Sequence, residues 1–244
     1  MKGTTNPMNK TKTFITAIPF QPHDKDGDKS KDQLRAVVYP AKGNSKLEYG
    51  ETRFPIIPVI NGYTESGDKI RVIAILTDGD NFKYNYKTYF TDEINGIIRA
   101  KELILNENKI EIITTADSED IETHLKLFSD TISKISDNEE LYACITYGTK
   151  PLPIITSYSL NYIHKFKKDV SIECIVYGRY MNNNPKLTPD ENEKNKENNG
   201  IYDTTSLFYM DSMVNKLAEI KAPNPEKAIR IMLREMKLGS DDNV

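Results

Sequence analysis

Between residues 70 and 177, apolar runs that favour strands alternate with segments that have the apolar spacing of amphipathic helices. The run IRVIAILT (70–77) is rich in β-branched residues and nearly continuous, which is typical of a parallel strand covered on both faces. Further runs of this kind occupy 110–115, 141–146 and 170–177, and the segments predicted to be helices are 91–105, 120–135 and 152–166. This alternation predicts an α/β fold, a Rossmann-like, doubly wound and mainly parallel sheet in three layers.

The segments that flank this alternation are less regular. Residues 13–20 (TFITAIPF) and 34–40 (LRAVVYP) are predicted strands. Residues 53–60 (RFPIIPVI) carry two prolines and fit either an edge strand or an irregular helix start. In the predicted helix at 120–135, the expected apolar face consists of Ile121, Leu125, Phe128, Ile132 and Ile135. The predicted helix that opens at Thr91 is expected to keep Leu103, Ile104 and Leu105 on its apolar face.

The composition of the chain suggests a division into domains. We expect a flexible N-terminus (1–12), a Rossmann-like domain (13–220), and a helical extension (221–244) that is a tail or a linker to an effector module. The stretch 181–200 contains seven asparagines and almost no apolar residue, so we expect a disordered insertion there.

Charge and cysteine usage exclude several classes of protein. The chain has 33 Lys and Arg against 36 Asp and Glu, and this net charge of −3 excludes a general basic coat for long nucleic acids. Cys144 and Cys174 both lie in apolar runs, so we expect two buried thiols in a reducing cytoplasm. No apolar run reaches the roughly 18 residues of a membrane helix, and the polar N-terminus does not resemble a signal peptide.

The loops that follow the predicted strands are where a doubly wound sheet binds ligands. The loop Thr146–Pro151 is the most informative of them. Gly148 permits close backbone approach, Thr146 and Thr149 supply hydroxyls, and Lys150 places a cation near a helix N-terminus that favours anions. This pattern suits a phosphate, although an ordinary strand–helix turn with an exposed lysine explains it equally well, and it is not a Walker A loop.

Other loop residues have a binding and a structural interpretation. Phe20 could stack on a base and Gln21 could read a base edge or ribose, or they could be core and solvent residues. Thr77 and Asp78 could contact a ligand, but capping of the next segment is favoured. Arg179 could pair with phosphate or lie free at the surface. No metal-ligand spacing, cofactor motif or catalytic motif accompanies His23, His124 and His164, so no catalytic residue, metal or cofactor is predicted.

Several segments, in order, resemble a known family. They are FITAIPF (14–20), YGETRFPIIPVI (49–60), DKIRVIAILTD (68–78), CITYGTKPLPIITSYSLNYI (144–163), IVYGRY (175–180) and IYDTTSLF (201–208). Over residues 13–220 the chain resembles the CARF domain, the CRISPR-associated Rossmann-fold sensor of cyclic oligoadenylates. The resemblance implies a homodimer that holds a ring of adenylates across its two-fold axis, with cyclic tetra-adenylate favoured over cyclic hexa-adenylate.

The resemblance also implies which residues line the ligand. They are Pro19, Phe20 and Gln21 from the first loop, Thr77 and Asp78 from the central strand, and Thr146, Tyr147, Gly148, Thr149, Lys150 and Pro151 from the third loop. The first loop departs from the family, since it has Pro-Phe-Gln where many members have small residues.

Three functions remain open at this point. The first is a sensor that passes ligand binding to an effector module. The second is a ring nuclease in which the 2′-hydroxyl of the bound ring attacks the adjacent phosphate, with Tyr147, Thr149 and Lys150 as candidates for orienting it. The third is an unrelated nucleotide-binding α/β protein.

Overall fold

The strands and helices of the computed structural model largely follow these apolar patterns. The structure describes residues 10–21, 34–181 and 188–236. Its strands are β1 (Thr11–Ala17), β2 (Val37–Val38), β3 (Ala41–Lys42), β4 (Glu51–Thr52), β5 (Lys69–Thr77), β6 (Ile104–Leu105), β7 (Glu111–Thr115), β8 (Glu139–Cys144), β9 (Ser171–Arg179) and β10 (Gly200–Asp203). Its helices are α1 (Ile56–Tyr63), α2 (Asp80–Asn85), α3 (Thr91–Lys101), α4 (Ile121–Lys134), α5 (Pro151–Phe166), α6 (Pro189–Glu197), α7 (Thr205–Glu219) and α8 (Pro225–Glu235).

The central sheet has the strand order of a Rossmann fold. The strands run β3-β10-β9-β8-β1-β5, and both β6 and β7 pair with β5 on its far side. The pairs formed by β1, β5, β7, β8 and β9 are all parallel, whereas β10 is antiparallel to β9. Numbered along the chain, the five parallel strands lie in the order 3-2-1-4-5, so the direction of winding reverses between β1 and β8. The predicted mainly parallel, doubly wound sheet is confirmed.

Helices cover both faces of this sheet and form two apolar cores. Alternate residues of β1 point to opposite faces, so that Phe14 belongs to one core and Ile15 to the other. The first core packs α1 and α3 on the sheet, and the second packs α4 and α5. The result is the predicted three-layer arrangement.

The ambiguous segment 53–60 begins a helix. Pro55 is the N-cap of α1 and Pro58 lies in its first turn, where a missing N–H removes no intrahelical hydrogen bond. The helical region after β5 is longer than predicted at its start, because α2 begins at Asp80 and continues through a π-helical turn, Tyr86–Phe90, into α3. It ends earlier than predicted at the other end: Glu102 adopts a left-handed conformation, and Ile104 enters β6 instead of the helix.

The predicted apolar face of α4 is partly wrong. Leu127 and Thr131 are the residues that α4 buries, whereas Ile121 and Leu125 are 64% and 53% exposed. The helix is rotated relative to the prediction because apolar residues occupy more than one side of it, and the side that contains Leu127 packs on the sheet.

The predictions for the ends and the insertion are corrected in part. Thr11 and Lys12 belong to β1 rather than to a flexible N-terminus, while residues 1–9 lie outside the described residues. Within 181–200, α6 is a helix whose N-terminus has a capping box between Thr188 and Glu191. Residues 182–187 lie outside the described part. Within the predicted helical extension (221–244), α8 forms the helix Pro225–Glu235, and 237–244 lie outside the described part. In the described part of the chain, every helix is too short or too polar to cross a membrane.

Candidate functional site

A cleft of about 730 Å³ opens at the carboxyl ends of β1, β8 and β9. This is where the strand order reverses, the position at which open α/β sheets bind ligands. The cleft is lined by Gln21, Leu34, Arg35, Ala36, Val37, Tyr39, Thr146, Tyr147, Tyr177, Gly178, Arg179, Tyr180 and Met181.

The lining of the cleft is cationic and aromatic. Arg35 and Arg179 contribute two guanidinium groups, and none of the lining residues named above is Asp or Glu. Four tyrosines share the cleft, of which Tyr177 and Tyr180 are 42% and 44% exposed. Guanidinium groups bind phosphate through paired hydrogen bonds, and exposed aromatic rings stack on bases. The cleft therefore has the two kinds of group that recognise a nucleotide.

Two of the tyrosines are fixed by other contacts. The Tyr147 hydroxyl donates to the carbonyl oxygen of Arg53 at 2.6 Å and lies 3.4 Å from the Tyr39 hydroxyl. Burial raises the pKa of both Tyr39 and Tyr147 above the ordinary value of 10.0. Both rings are therefore neutral at physiological pH, and they do not offset the charge of the arginines.

The floor of the cleft joins the ends of β8 and β9. The Thr146 hydroxyl oxygen accepts the Gly178 N–H at 2.7 Å and the Cys144 thiol at 3.1 Å. A Cβ added at Gly178 would lie 2.4 Å from Cγ of Pro55, so only glycine fits between the strand and α1 without movement. These contacts fix the distance between the start of the Thr146–Pro151 loop and the end of β9.

A buried amide holds the loop that follows β1. The Asn85 side chain is 1% exposed, and its amide donates to the carbonyl oxygens of Pro19 at 3.0 Å and Gln21 at 2.9 Å. Between those two anchors, Phe20 is 60% exposed and its ring lies 5.5 Å from that of Phe82. The loop thus presents Gln21 to the cleft and Phe20 to its outer side.

The structure brings four of the twelve predicted site residues into the cleft: Gln21, Thr146, Tyr147 and Arg179. In the first loop, Pro19 is buried, and Phe20 does not line the cleft. Gly148 and Lys150 are exposed at the start of α5, where Gly148 has a φ of +107° and Pro151 is the first helical residue. Lys150 therefore does not line the cleft together with Thr146 and Tyr147, as we had expected.

The remaining predicted residues belong to other local structures. Thr77 and Thr149 line a separate crevice of about 10 Å³, room for about one water molecule. Asp78 is exposed and forms a 2.7 Å ion pair with Lys83, a hydrogen bond that lowers the pKa of the Asp78 carboxyl. The predicted capping of the next segment is wrong, because the N-cap of α2 is Gly79 and no side-chain hydrogen bond caps this helix.

Sequence reasoning missed the residues that supply most of the aromatic and half of the cationic surface. They are Arg35, Tyr39, Tyr177, Tyr180 and Met181. Tyr177 and Tyr180 directly flank Gly178 and Arg179 in IVYGRY, and that adjacency is the signal that could have found them. Arg35 and Tyr39 lie in a short segment before β3 whose position cannot be deduced from local spacing.

Histidines and cysteines do not form part of the cleft as described. His124 lies 3.1 Å from Glu119, and His164 contacts the Val170 carbonyl oxygen. Cys144 and Cys174 are buried, as predicted. Among residues 10–21, 34–181 and 188–236, no group of three or more His, Cys, Asp or Glu side chains could hold a metal ion.

Fold and cleft together define an α/β protein of Rossmann strand order with a cationic, tyrosine-lined cleft at its switch point. No protein-family model matches the chain, and a search of curated proteins finds no significant match.

Proposed function

We propose that the chain is a nucleotide sensor that binds cyclic oligoadenylate in this cleft and passes the binding event to an effector module. The single observation that carries the proposal is the described part of the lining, which has two arginines and four tyrosines but no carboxylate, at the switch point of the sheet. The resemblance to CARF sensors supplies the identity of the ligand.

The cleft suits a ligand of several phosphates and bases. Its volume of about 730 Å³ lies within the range of about 300–1,000 Å³ of small-molecule sites. Arg35 and Arg179 come from different loops, so they can pair with two phosphates rather than one. A local pair of cations also reconciles the ligand with a chain whose net charge is −3.

The residues of the cleft favour binding over cleavage of the ring. Of the three residues that we expected to serve a ring nuclease, only Tyr147 lines the cleft, and its hydroxyl already donates to the Arg53 carbonyl oxygen. Its raised pKa makes it a poor base. We therefore favour the sensor, and chromatography of the ligand after incubation distinguishes the two activities.

Isothermal titration calorimetry tests the proposal. The ligands are cyclic tetra-adenylate and cyclic hexa-adenylate, with linear tetra-adenylate and ATP as comparisons. We expect the cyclic oligoadenylates, and cyclic tetra-adenylate most of all, to bind more tightly than linear tetra-adenylate or ATP. Heat from ATP alone would favour the unrelated nucleotide-binding protein, and absence of heat from both rings would refute the sensor.

Arginine variants locate the binding site. Arg179→Ala removes a charged hydrogen-bond donor to phosphate and should weaken ring binding about 10–100-fold. Arg99→Ala is the control, because Arg99 is an exposed arginine on α3, outside the cleft. Equal affinities of the two variants would place the ligand elsewhere.

A further inference from the structure

The outer surface of α5 carries an uninterrupted apolar stripe. Ile154, Tyr158, Tyr162 and Phe166 are spaced four residues apart and lie along one side of the helix. They are 55%, 64%, 43% and 68% exposed, in that order. The opposite side of α5, including Leu160 and Ile163, is buried in the second core. Packing within the chain thus explains one side of the helix and leaves the other uncovered.

Helix α4 extends this stripe into a wider apolar surface. The Phe128 ring packs against that of Tyr162 with centroids 5.8 Å apart, and Tyr162 stacks on Phe166 at 5.2 Å. One and two turns before Phe128, α4 exposes Leu125 and Ile121. Between the aromatic side chains and Asp211 of α7 runs an open groove of about 500 Å³. We call this surface the α4–α5 face.

The α4–α5 face offers enough apolar area for the centre of an interface. An aromatic side chain presents about 150–250 Å² when fully covered, so the half-exposed rings and aliphatic groups of this face offer several hundred Å². A standard interface buries about 800 Å² per partner, of which the polar rim supplies the remainder, and exposed apolar patches larger than a few hundred Å² mark interaction sites.

The charges at the two ends of this face are opposite. Both helices follow parallel strands and return across the sheet, so they run in the same direction. The end at the helix N-termini carries the acidic residues Asp117, Glu119, Asp120 and Glu122, to which Lys150 adds one positive charge. The end at the C-termini carries Lys134, Lys165, Lys167 and Lys168, which outnumber Asp137 and Asp169.

We propose that a second copy of this chain covers the α4–α5 face, with the two α5 helices antiparallel across a two-fold axis. That arrangement places the acidic end of each copy against the basic end of the other, which a parallel arrangement would not do. The stripe of residues four apart is a ridge of the type that packs against its own copy at about −50°. A two-fold interface needs such a self-complementary surface.

This interface is separate from the cleft and goes beyond the proposed function. The cleft contacts the core beneath α1 through Leu34 and Tyr39, whereas the α4–α5 face lies on the other side of the sheet. In the antiparallel pair the N-termini of the two α5 helices lie roughly 25 Å apart, because the 16 residues of α5 rise about 1.5 Å each.

Sedimentation velocity over a concentration series, without ligand, tests the self-association. We expect the unmodified chain to dimerise and Tyr158→Glu to raise the dimer dissociation constant about 30-fold or more, as for the loss of a central aromatic contact. Ile220→Glu is the control, because Ile220 is 73% exposed beyond the end of α7, away from this face, and should leave the dimer intact. A monomer at every concentration, or a dimer that Tyr158→Glu does not weaken, would overturn the proposal.

Cysteine cross-linking tests the antiparallel arrangement and does not depend on the glutamate variant folding. The native Cys144 and Cys174 are buried, so an introduced surface cysteine reacts selectively with a short bis-maleimide. Ile154→Cys and Phe166→Cys chains should cross-link when mixed and not when each is alone. Cross-linking of Ile154→Cys to itself would contradict the antiparallel pair.

Discussion

Replacing Thr146 by valine tests whether the floor of the cleft is held by one hydroxyl group. Valine keeps the shape of threonine but cannot accept the Gly178 N–H, which now bonds to the Thr146 hydroxyl at 2.7 Å. The Cys144 thiol loses its acceptor at the same time. A backbone donor left without a partner at a partly buried site costs about 1–3 kcal/mol.

The expected effect is a loss of stability that a serine at the same position does not cause. For a chain of this size, 1–3 kcal/mol lowers the melting temperature by about 2–12 °C. Urea unfolding followed by circular dichroism gives the free energy, and Thr146→Ser, which keeps the acceptor, is the control. If Thr146→Val unfolds within about 0.3 kcal/mol of Thr146→Ser, the hydroxyl does not join the two strands energetically.

Two further predictions concern the interior. Arg71→Met should lower the free energy of unfolding, measured in urea, by about 3–5 kcal/mol, because it leaves Glu139, whose side chain is 4% exposed, without its cationic partner. An unchanged free energy would show that the ion pair makes no net contribution to stability. Burial raises the pKa of the Cys174 thiol from 9.0 to about 12, so the stability that the buried thiol contributes is complete below pH 9 and is lost as pH rises to 12. Between pH 8 and 10.5, the free energy of unfolding should therefore decrease more for the wild type than for Cys174→Ala. Equal decreases in the two proteins would contradict the raised pKa.

Local sequence patterns predicted the sheet because its parallel strands are buried on both faces. β5 is a nearly continuous apolar run, and the polar residues that follow it mark where it ends. The segment around Pro55 and Pro58 could not be assigned, since proline is equally compatible with an edge strand and with a first helical turn. In the structure Pro55 packs against Gly178 of β9, a contact between distant residues that local spacing does not predict.

The errors on α4 and at the cleft share one physical cause. Ile121 and Leu125 are apolar but exposed, so apolar spacing alone selects the wrong side of the helix. At the cleft, the loop pattern around Lys150 is sound as a helix N-terminus, yet the cation that reaches the cleft beside Arg179 is Arg35, from the other end of the chain. Which distant residues meet depends on the tertiary fold, and local spacing carries no information about it.

The Asn85 side chain connects the first loop of the cleft, through α2 and α3, to the end of α1 on the same face of the sheet. Its amide holds the carbonyl oxygens of Pro19 and Gln21, and α2 continues through the π-helical turn into α3 without a break. At the other end of α3, the Lys101 ammonium donates to the carbonyl oxygens of Asn61 and Thr64, where α1 ends. A displacement of the Gln21 loop must therefore break these amide hydrogen bonds or move the helical segment 80–101, whose opposite end is bonded to the end of α1.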